Sequence, residues 1–177
     1  MRTALCVLSI LAAACAALPA AAQQYPVKPV RIVVGFAAGG PTDVIARVLA
    51  QDMTAPLGQS VIVENRTGAN AIIATDLVAR SAPDGYTALF SSLSLLVNAI
   101  LSPDKIKYDP FRDFAPVSNA ALLPMVIVTR LSTPVNSLRE LVALAKRRPG
   151  EVTYGTPGHG GSGHLAGAML ETLAGVK

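Results

Sequence analysis

The chain has 177 residues, which suits one domain of ordinary size, and 51% of them are hydrophobic, which is high for a soluble protein. Its formal net charge is +4, but charged residues make up only 15% of the chain and are scattered. Lys146, Arg147 and Arg148 form the one basic cluster, at the end of a predicted helix. A nucleic-acid-binding face needs a longer basic stripe with interspersed aromatic residues, so this class is excluded.

The first 22 residues explain much of the apolar excess. Arg2 is followed by an alanine-rich apolar run and then by Ala20, Ala21 and Ala22. This pattern predicts a secretory signal peptide cleaved after Ala22 and favours it over a membrane anchor. An exported chain of this kind is expected in the periplasm. Both cysteines lie inside the leader, so the mature chain would hold no disulfide and no cysteine metal site.

Residues 30–101 alternate strands with helices. Strands are predicted at 30–34, 60–64 and 86–90, and helices at 41–58, at 71–82 and from the serines at 91–92 to residue 101. Glycine-rich or serine-rich loops join each strand to the next helix. This order is typical of an α/β fold with a parallel sheet and right-handed crossovers.

The second half of the chain is less regular. Residues 117–129 predict one or two strands interrupted by Pro124, and 152–154 predict another short strand. A capping box at Ser137 and Glu140 opens a helix that runs to Arg148, and a last helix is predicted at 162–174. We therefore expect a first lobe at 23–118 and a crossover with the start of an incomplete second lobe at 119–177.

Four strand-to-helix loops are candidates for ligand binding, because ligands of open α/β sheets lie beyond the carboxyl ends of the strands. They span residues 35–43, 65–71, 91–94 and 155–164. Glycine lets backbone amides approach a ligand, and a helix N-terminus adds unpaired donors, so the loops suit a carboxylate. For any single loop, glycine needed only for the geometry of a short turn is the simpler explanation.

The stretch YGTPGHGGSGH, residues 154–164, matches several motifs at once. A dinucleotide site needs an acid about 20 residues after the glycines, and the chain reaches Lys177 first. A hydrolase would use Ser162 and His164, but His164 replaces the last glycine of a nucleophile elbow and no acid is placed to orient it. A zinc site at His159 and His164 lacks a third ligand, so no metal and no cofactor is predicted.

Several motifs, in order, resemble one family. They are YPVKPVRIVVGFAAGGPTD at 25–43, LGQSVIVENR at 57–66, APDGYT at 82–87, YDPFRDFAPV at 108–117, LAKRRPG at 144–150, and YGT with HLAG at 154–156 and 164–167. Together they are similar to the Bug family, the periplasmic solute-binding receptors of tripartite tricarboxylate transporters. The resemblance covers essentially everything after residue 24.

The resemblance implies a type II periplasmic binding protein (Venus flytrap) fold, with lobe one nearly complete and lobe two only begun. It also implies a non-enzymatic receptor that captures a small organic carboxylate between the lobes and delivers it to the membrane subunits of such a transporter. An exported hydrolase and a truncated remnant that binds nothing are the alternatives. The residues we expect at the ligand are Phe36, Ala38, Gly39, Gly40, Thr42, Asp43, Asn65, Gly68, Asn70, Ser91, Ser92, Ser94, Thr156, Gly158, Ser162 and His164.

The chain departs from the family pattern after its Val-Glu-Asn-Arg motif. Where relatives usually have G-A-G-G-x-x-G, it has GANAIIA at 68–74, so Asn70, Ala71 and Ala74 replace glycines. Added bulk at Asn70 and Ala71 is expected to narrow the pocket or change the ligand.

Asp43 is expected either to orient the first loop or to receive a ligand amine, and its simplest role is to cap the helix.

Overall fold

A computed structural model of the chain describes residues 24–156 and 158–177. The predicted leader, residues 1–22, lies outside the described residues. Three parallel strands form the sheet: β1 (Val30–Val34), β2 (Val61–Asn65) and β3 (Thr87–Phe90). Their order is β2-β1-β3, with Val30 opposite Val61 and Arg31 opposite Thr87. The predicted parallel α/β sheet is therefore confirmed.

Five α-helices follow the predicted order. They are α1 (Pro41–Leu57), α2 (Ile72–Ala79), α3 (Ser94–Leu101), α4 (Leu138–Arg147) and α5 (Ser162–Ala174), with short 3₁₀ turns at Ala69–Ala71 and Pro103–Lys105. Pro41 occupies the first turn of α1, where its missing N–H costs no hydrogen bond. Gly58 ends α1 in the left-handed conformation that glycine adopts most easily.

The core lies between the sheet and α1. Ile32 and Val34 of β1 are buried together with Ala46 and Ala50 of α1. Small alanines allow α1 to approach the β-branched side chains of the central strand closely. Val33 points to the opposite face by the alternation of a strand and is also fully buried. Helix α2 contacts β1 and β3, while α1 contacts β1 and β2, so the two helices together pack against all three strands.

The strands predicted in the second half are wrong. Residues 117–129 and 152–154 lie in no helix and in no strand. We name residues 116–130 the extended segment. Its apolar side chains lie in solvent, Val117 at 95% and Val128 at 84% exposure. A strand exists only when a second strand pairs with its backbone groups, and no described part of the chain does so. The composition of these segments suits a strand, but no described strand pairs with them.

Helix α4 confirms the predicted capping box. The Ser137 hydroxyl accepts a hydrogen bond from the Glu140 amide at 3.2 Å, and the Glu140 carboxylate accepts one from the Asn136 amide at 2.7 Å. Beyond residue 118 the structure describes two α-helices and no strand. The lobe boundary near residue 118 stays a prediction. None of the described helices combines the length and apolar character required to cross a bilayer.

The residues that lead into β1 are held by the turn before β3. The Tyr25 hydroxyl donates to the Gly85 carbonyl at 2.6 Å, and the Val27 amide donates to the Tyr86 hydroxyl at 2.9 Å. The Lys28 ammonium lies 3.3 Å from Asp84 and 4.2 Å from the centre of the Tyr86 ring. We name this set of contacts the N-terminal clamp; it lies at the amino edge of the sheet.

Candidate functional site

A cavity of about 530 Å³ opens to solvent beyond the carboxyl ends of β1 and β2. Its volume is within the range of small-molecule sites. Four chain segments form its walls: the loop after β1, the loop after β2, the end of α3 with the 3₁₀ turn, and the loop before α5. The lining residues are Gly35, Phe36, Ala37, Thr67, Gly68, Ala69, Asn70, Ala71, Ile72, Asn98, Leu101, Ser102, Lys105, Gly158, His159 and Gly160.

Four residues predicted at the ligand line this cavity: Phe36, Gly68, Asn70 and Gly158. The other predicted residues do not line it, and their roles at a ligand stay predictions. Sequence reasoning did not find the wall formed by Asn98, Leu101, Ser102 and Lys105. These residues follow no glycine-rich motif, and only the packing of α3 brings them to the cavity.

Asp43 organises the first loop from inside the protein. The residue is 1% exposed. One carboxylate oxygen accepts from the Gly39 amide at 2.8 Å and from Arg47 Nε at 2.9 Å, and the other accepts from Asn65 Nδ2 at 2.8 Å. The hydrogen bond from Arg47, then those from Gly39 and Asn65, hold the pKa of Asp43 at about 2, below its ordinary 3.8.

Asn65 extends this network from the end of β2. Its Nδ2 also donates to the Phe36 carbonyl at 3.0 Å, and its Oδ1 accepts from Arg47 at 3.0 Å. Both polar ends of the amide are therefore engaged within the protein. In this structure Asp43 and Asn65 position the loop that carries Phe36, which corresponds to the loop-orienting role predicted for Asp43.

The remaining first-loop residues precede or begin α1. Ala38 and Gly39 are exposed, and Gly39 has a positive φ of 79°. Gly40 is the N-cap residue, and Thr42 is half-buried in the first turn. The amide of Gly39 is already donated to Asp43. The part of the loop that reaches the cavity is thus residues 35–37.

The second loop adopts an uncommon backbone. Ala69, Asn70 and Ala71 have φ values of 48°, 54° and 71°, three consecutive left-handed residues with side chains. A residue with a Cβ in this conformation costs roughly 1–2 kcal/mol. Asn70 and Ala71 stand where the family pattern has glycine, so these two substitutions are accommodated without a change to right-handed backbone.

Close packing between the first two loops requires Gly35. A Cβ on Gly35 would lie 2.2 Å from the Ala71 Cβ and 2.8 Å from its Cα. Ala71 is buried at 2% exposure and fills the space next to Gly35. The two loops therefore form one continuous wall of the cavity.

A pair of asparagines joins this wall to α3. Asn70 Nδ2 donates to Asn98 Oδ1 at 3.0 Å, and Asn98 Nδ2 donates to the Asn70 carbonyl at 2.9 Å. Asn98 is 4% exposed. This exchange supports the left-handed turn and fixes the Asn70 side chain in the cavity lining.

The three predicted serines lie at the start of α3. Ser92 and Ser94 share a hydrogen bond of 3.2 Å between their hydroxyls, and the Ser91 hydroxyl donates to the Ser92 carbonyl at 3.4 Å. Ser94 is almost completely buried at 1% exposure. These contacts order the start of α3, whose opposite end reaches the cavity.

The loop before α5 brings the second part of the chain to the cavity. Gly160 is buried, and a Cβ placed on it would lie 3.1 Å from Asn70 Nδ2. Thr156 donates to the Gly158 carbonyl at 3.3 Å, and the Gly160 amide donates to His164 Nδ1 at 3.3 Å. The rings of His159 and His164 lie 4.3 Å apart, tilted by 41°.

Ser162, the proposed nucleophile of the hydrolase alternative, is the exposed first residue of α5. Within the described residues it makes no hydrogen bond with His164, whose Nδ1 already accepts from Gly160. The arrangement lacks the serine–histidine contact with which a triad begins.

Polar groups suited to an anion line the cavity. The backbone amides of Phe36, Thr67 and Gly68 donate to no described residue. Lys105 is the one lysine or arginine of the lining, and no aspartate or glutamate is among the described lining residues. Free amides next to a cation and away from carboxylates favour a negatively charged ligand.

Comparison with known proteins places the chain in a family. The family model described as the tripartite tricarboxylate transporter family receptor matches residues 45–177. Protein BugT of Bordetella pertussis is 42% identical over 168 residues, covering 94% of this chain and 51% of that protein. A protein of Cupriavidus necator, described as a UPF0065 protein in the gbd 5' region, is 38% identical over 164 residues. The match covers 92% of this chain and 50% of that protein.

Solved structures give the same result for the fold. The structure of the periplasmic binding protein BugD matches with a TM-score of 0.68 and 36% identity, over 86% of this chain and 51% of that one. MatC of Rhodopseudomonas palustris, solved with bound malate, matches with a TM-score of 0.75 and 32% identity. The match covers 86% of this chain and 52% of MatC.

The predicted fold is confirmed as the α/β architecture of these periplasmic binding proteins, over about half of their length. The chain likewise spans about half the length of the curated relatives that it matches. On the extent of the family match, and on the order of motifs that first indicated it, the chain belongs to the family of tripartite tricarboxylate transporter receptors.

Proposed function

We propose that the chain provides part of a periplasmic receptor site that captures a small organic carboxylate for a tripartite tricarboxylate transporter. The observation that carries the proposal is the cavity beyond β1 and β2, where free backbone amides and Lys105 occur without a lining carboxylate. Such a lining binds anions through hydrogen bonds and offers no nucleophile aligned with a base.

The known proteins support the same chemistry. Malate is bound to MatC, and a second protein of R. palustris was solved with adipate, at a TM-score of 0.73 to this chain. By extension, the ligand of this chain is a small carboxylic acid. Export by cleavage after Ala22, a periplasmic location and delivery to membrane subunits belong to the same proposal, because receptors of this family serve such transporters.

Nuclear magnetic resonance of the ¹⁵N-labelled mature chain tests the proposal. The titrated compounds are dicarboxylates, tricarboxylates, amino acids and nicotinate-like aromatic acids, and a diamine of similar length is the control. We expect at least one acid to shift the amide signals of Phe36, Thr67 and Gly68, with a Kd on the order of 1 mM because the cavity is open to solvent.

The diamine should leave these signals unchanged. The proposal is wrong if no acid shifts them, or if acids and the diamine shift them equally. Nuclear magnetic resonance suits the question because it detects millimolar binding and locates it by residue.

A further inference from the structure

Lys105 is a positively charged residue in the cavity lining, where it can interact with the charge of a ligand. It is the last residue of the 3₁₀ turn Pro103–Lys105, and its amide donates to the Ser102 carbonyl at 3.0 Å. This bond holds the turn immediately after α3 in the chain, and Asn98 and Leu101 from the last turn of α3 also line the cavity. Lys105 therefore belongs to a different wall of the cavity from the one formed by the first two loops.

Nothing in the described structure neutralises this ammonium. Lys105 has no ion pair and no side-chain hydrogen bond with the residues at 24–156 or 158–177. Asp104, its neighbour in the turn, forms no ion pair with it in the described structure. The next acids along the chain, Asp109 and Asp113, accept hydrogen bonds from the amides of Phe111 and Asp109. The lysine is exposed, so its charge is available to a ligand without the loss of an internal partner.

The cavity thus has two regions that attract an anion. The free amides of Phe36, Thr67 and Gly68 belong to the loops after β1 and β2. Lys105 belongs to the turn after α3. Asn98 and Ser102, which precede it in the chain, also line the cavity. A ligand with one carboxylate uses only one region, whereas a ligand with two uses both.

We propose that Lys105 determines specificity at this site, by favouring dicarboxylates over acids of the same length that carry one negative charge. The inference rests on the proposed function, since it names the class of carboxylate that the same cavity takes. The amide region would hold one end of the diacid, and the Lys105 ammonium would attract the other.

The test compares ligands that differ by one charge at constant length. Succinate and adipate are each titrated beside their monoamides, succinamate and adipamate, into the ¹⁵N-labelled mature chain. The variants are Lys105→Met, which removes the charge, and Lys105→Arg, which keeps it. Lys107→Met is the matched control, because Lys107 is an exposed lysine two residues away that does not line the cavity.

We expect Lys105→Met to weaken binding of the better diacid about tenfold and to change binding of its monoamide less than about twofold. Lys105→Arg should keep the preference for the diacid, and Lys107→Met should behave as the unmodified chain. A lysine that only complements the C-terminal end of α3 would instead change the melting temperature and leave the ratio of diacid to monoamide affinity unchanged.

Two failures are distinguishable. If no acid shifts the cavity amides in the unmodified chain, the proposed function is wrong and this inference is wrong with it. If acids bind but diacid and monoamide bind equally, or Lys105→Met leaves their ratio unchanged, the site binds carboxylates and only the role of Lys105 is wrong.

Discussion

Asp43 accepts three hydrogen bonds in a buried position, from Gly39, Arg47 and Asn65. Two of these donors come from its own loop and helix, and the third comes from the end of β2. One carboxylate therefore ties the first loop to the neighbouring strand. The sequence allowed three roles for Asp43: orienting the loop, receiving a ligand amine, or capping the helix. The geometry favours orienting the loop over contact with a ligand amine.

Replacing Asp43 with asparagine should lower the stability of the chain. The amide keeps the shape but loses the negative charge that Arg47 contacts, and its NH₂ group faces donors. We expect the melting temperature to fall by about 5 °C or more in thermal denaturation followed by circular dichroism. Asp52→Asn is the matched control, because Asp52 is exposed on the same helix; an equal fall in both variants would contradict the account.

The low pKa of Asp43 predicts a pH dependence. The folded-state pKa of about 2 lies below the ordinary 3.8, so the unfolded chain binds the proton first as the pH falls. The stabilising contribution is therefore complete above pH 3.8 and is lost toward pH 2. The melting-temperature difference between the unmodified chain and Asp43→Asn should shrink over this window. A difference that stays constant from pH 5 to pH 2 would rule out the ionised carboxylate as its source.

Ala69 carries backbone strain without compensating burial, since it is exposed and has a φ of 48°. Glycine removes the clash of the Cβ, although it also increases the entropy of the unfolded chain. We expect Ala69→Gly to raise the free energy of unfolding by about 0.5–1 kcal/mol, measured by urea denaturation.

The control for Ala69 has the opposite expected sign. Ala55 is exposed in the right-handed helix α1, so Ala55→Gly should lower the free energy of unfolding by about 0.5–1 kcal/mol. If both glycine substitutions destabilise the chain, the left-handed turn is not strained at Ala69.

At the scale of elements, the first two loops form one wall because Gly35 lets them touch. Gly35→Ala would place a Cβ 2.2 Å from that of Ala71, next to buried backbone. We expect the free energy of unfolding to fall by about 1–3 kcal/mol, and the amide signals of residues 67–72 to move. Gly155→Ala is the control, since a Cβ there meets no atom within 4 Å, and it should change stability by less than about 0.5 kcal/mol.

The elements that the sequence predicted well are those that depend on local signals. Helix α5 begins at Ser162 and ends at Ala174 as expected, and the Ser137 capping box opens α4. Three β-branched or aromatic runs before glycine-rich or serine-rich loops gave the three strands of the sheet. Local capping, turn and periodicity rules apply at these positions without knowledge of distant partners.

The errors have a common physical cause, which is dependence on distant parts of the chain. The strands predicted at 117–129 and 152–154 had suitable composition but no partner strand among the described residues. Likewise the cavity wall at Asn98 and Lys105 arises from the packing of α3 against the second loop, through the bonds between Asn70 and Asn98. Neither the absent pairing nor this wall has a short motif in the sequence.

At the scale of the whole molecule, the extended segment is the least protected part of the described chain. Its residues 116–130 lie in no helix or strand, and Leu122 and Val126 are 87% and 80% exposed. Backbone without hydrogen bonds and with solvent on several sides is open to proteases.

Limited digestion with thermolysin, which cuts before bulky apolar residues, should therefore cleave first within residues 116–131. The internal control is β1, which has four apolar residues of similar type but is buried in the sheet. Mass spectrometry of the early fragments identifies the cut. First cleavage inside residues 30–101 would show that the sheet, and not the extended segment, is the weaker part.

The N-terminal clamp has a practical consequence for how the molecule is presented to its surroundings. Tyr25, Val27 and Lys28 are fastened at the amino edge of the sheet, whereas the cavity opens at the carboxyl edge. A tether joined through a short linker ahead of Tyr25 would emerge on the side remote from the cavity. Molecules attached to a sensor surface in this way would direct their binding face toward the flowing solution.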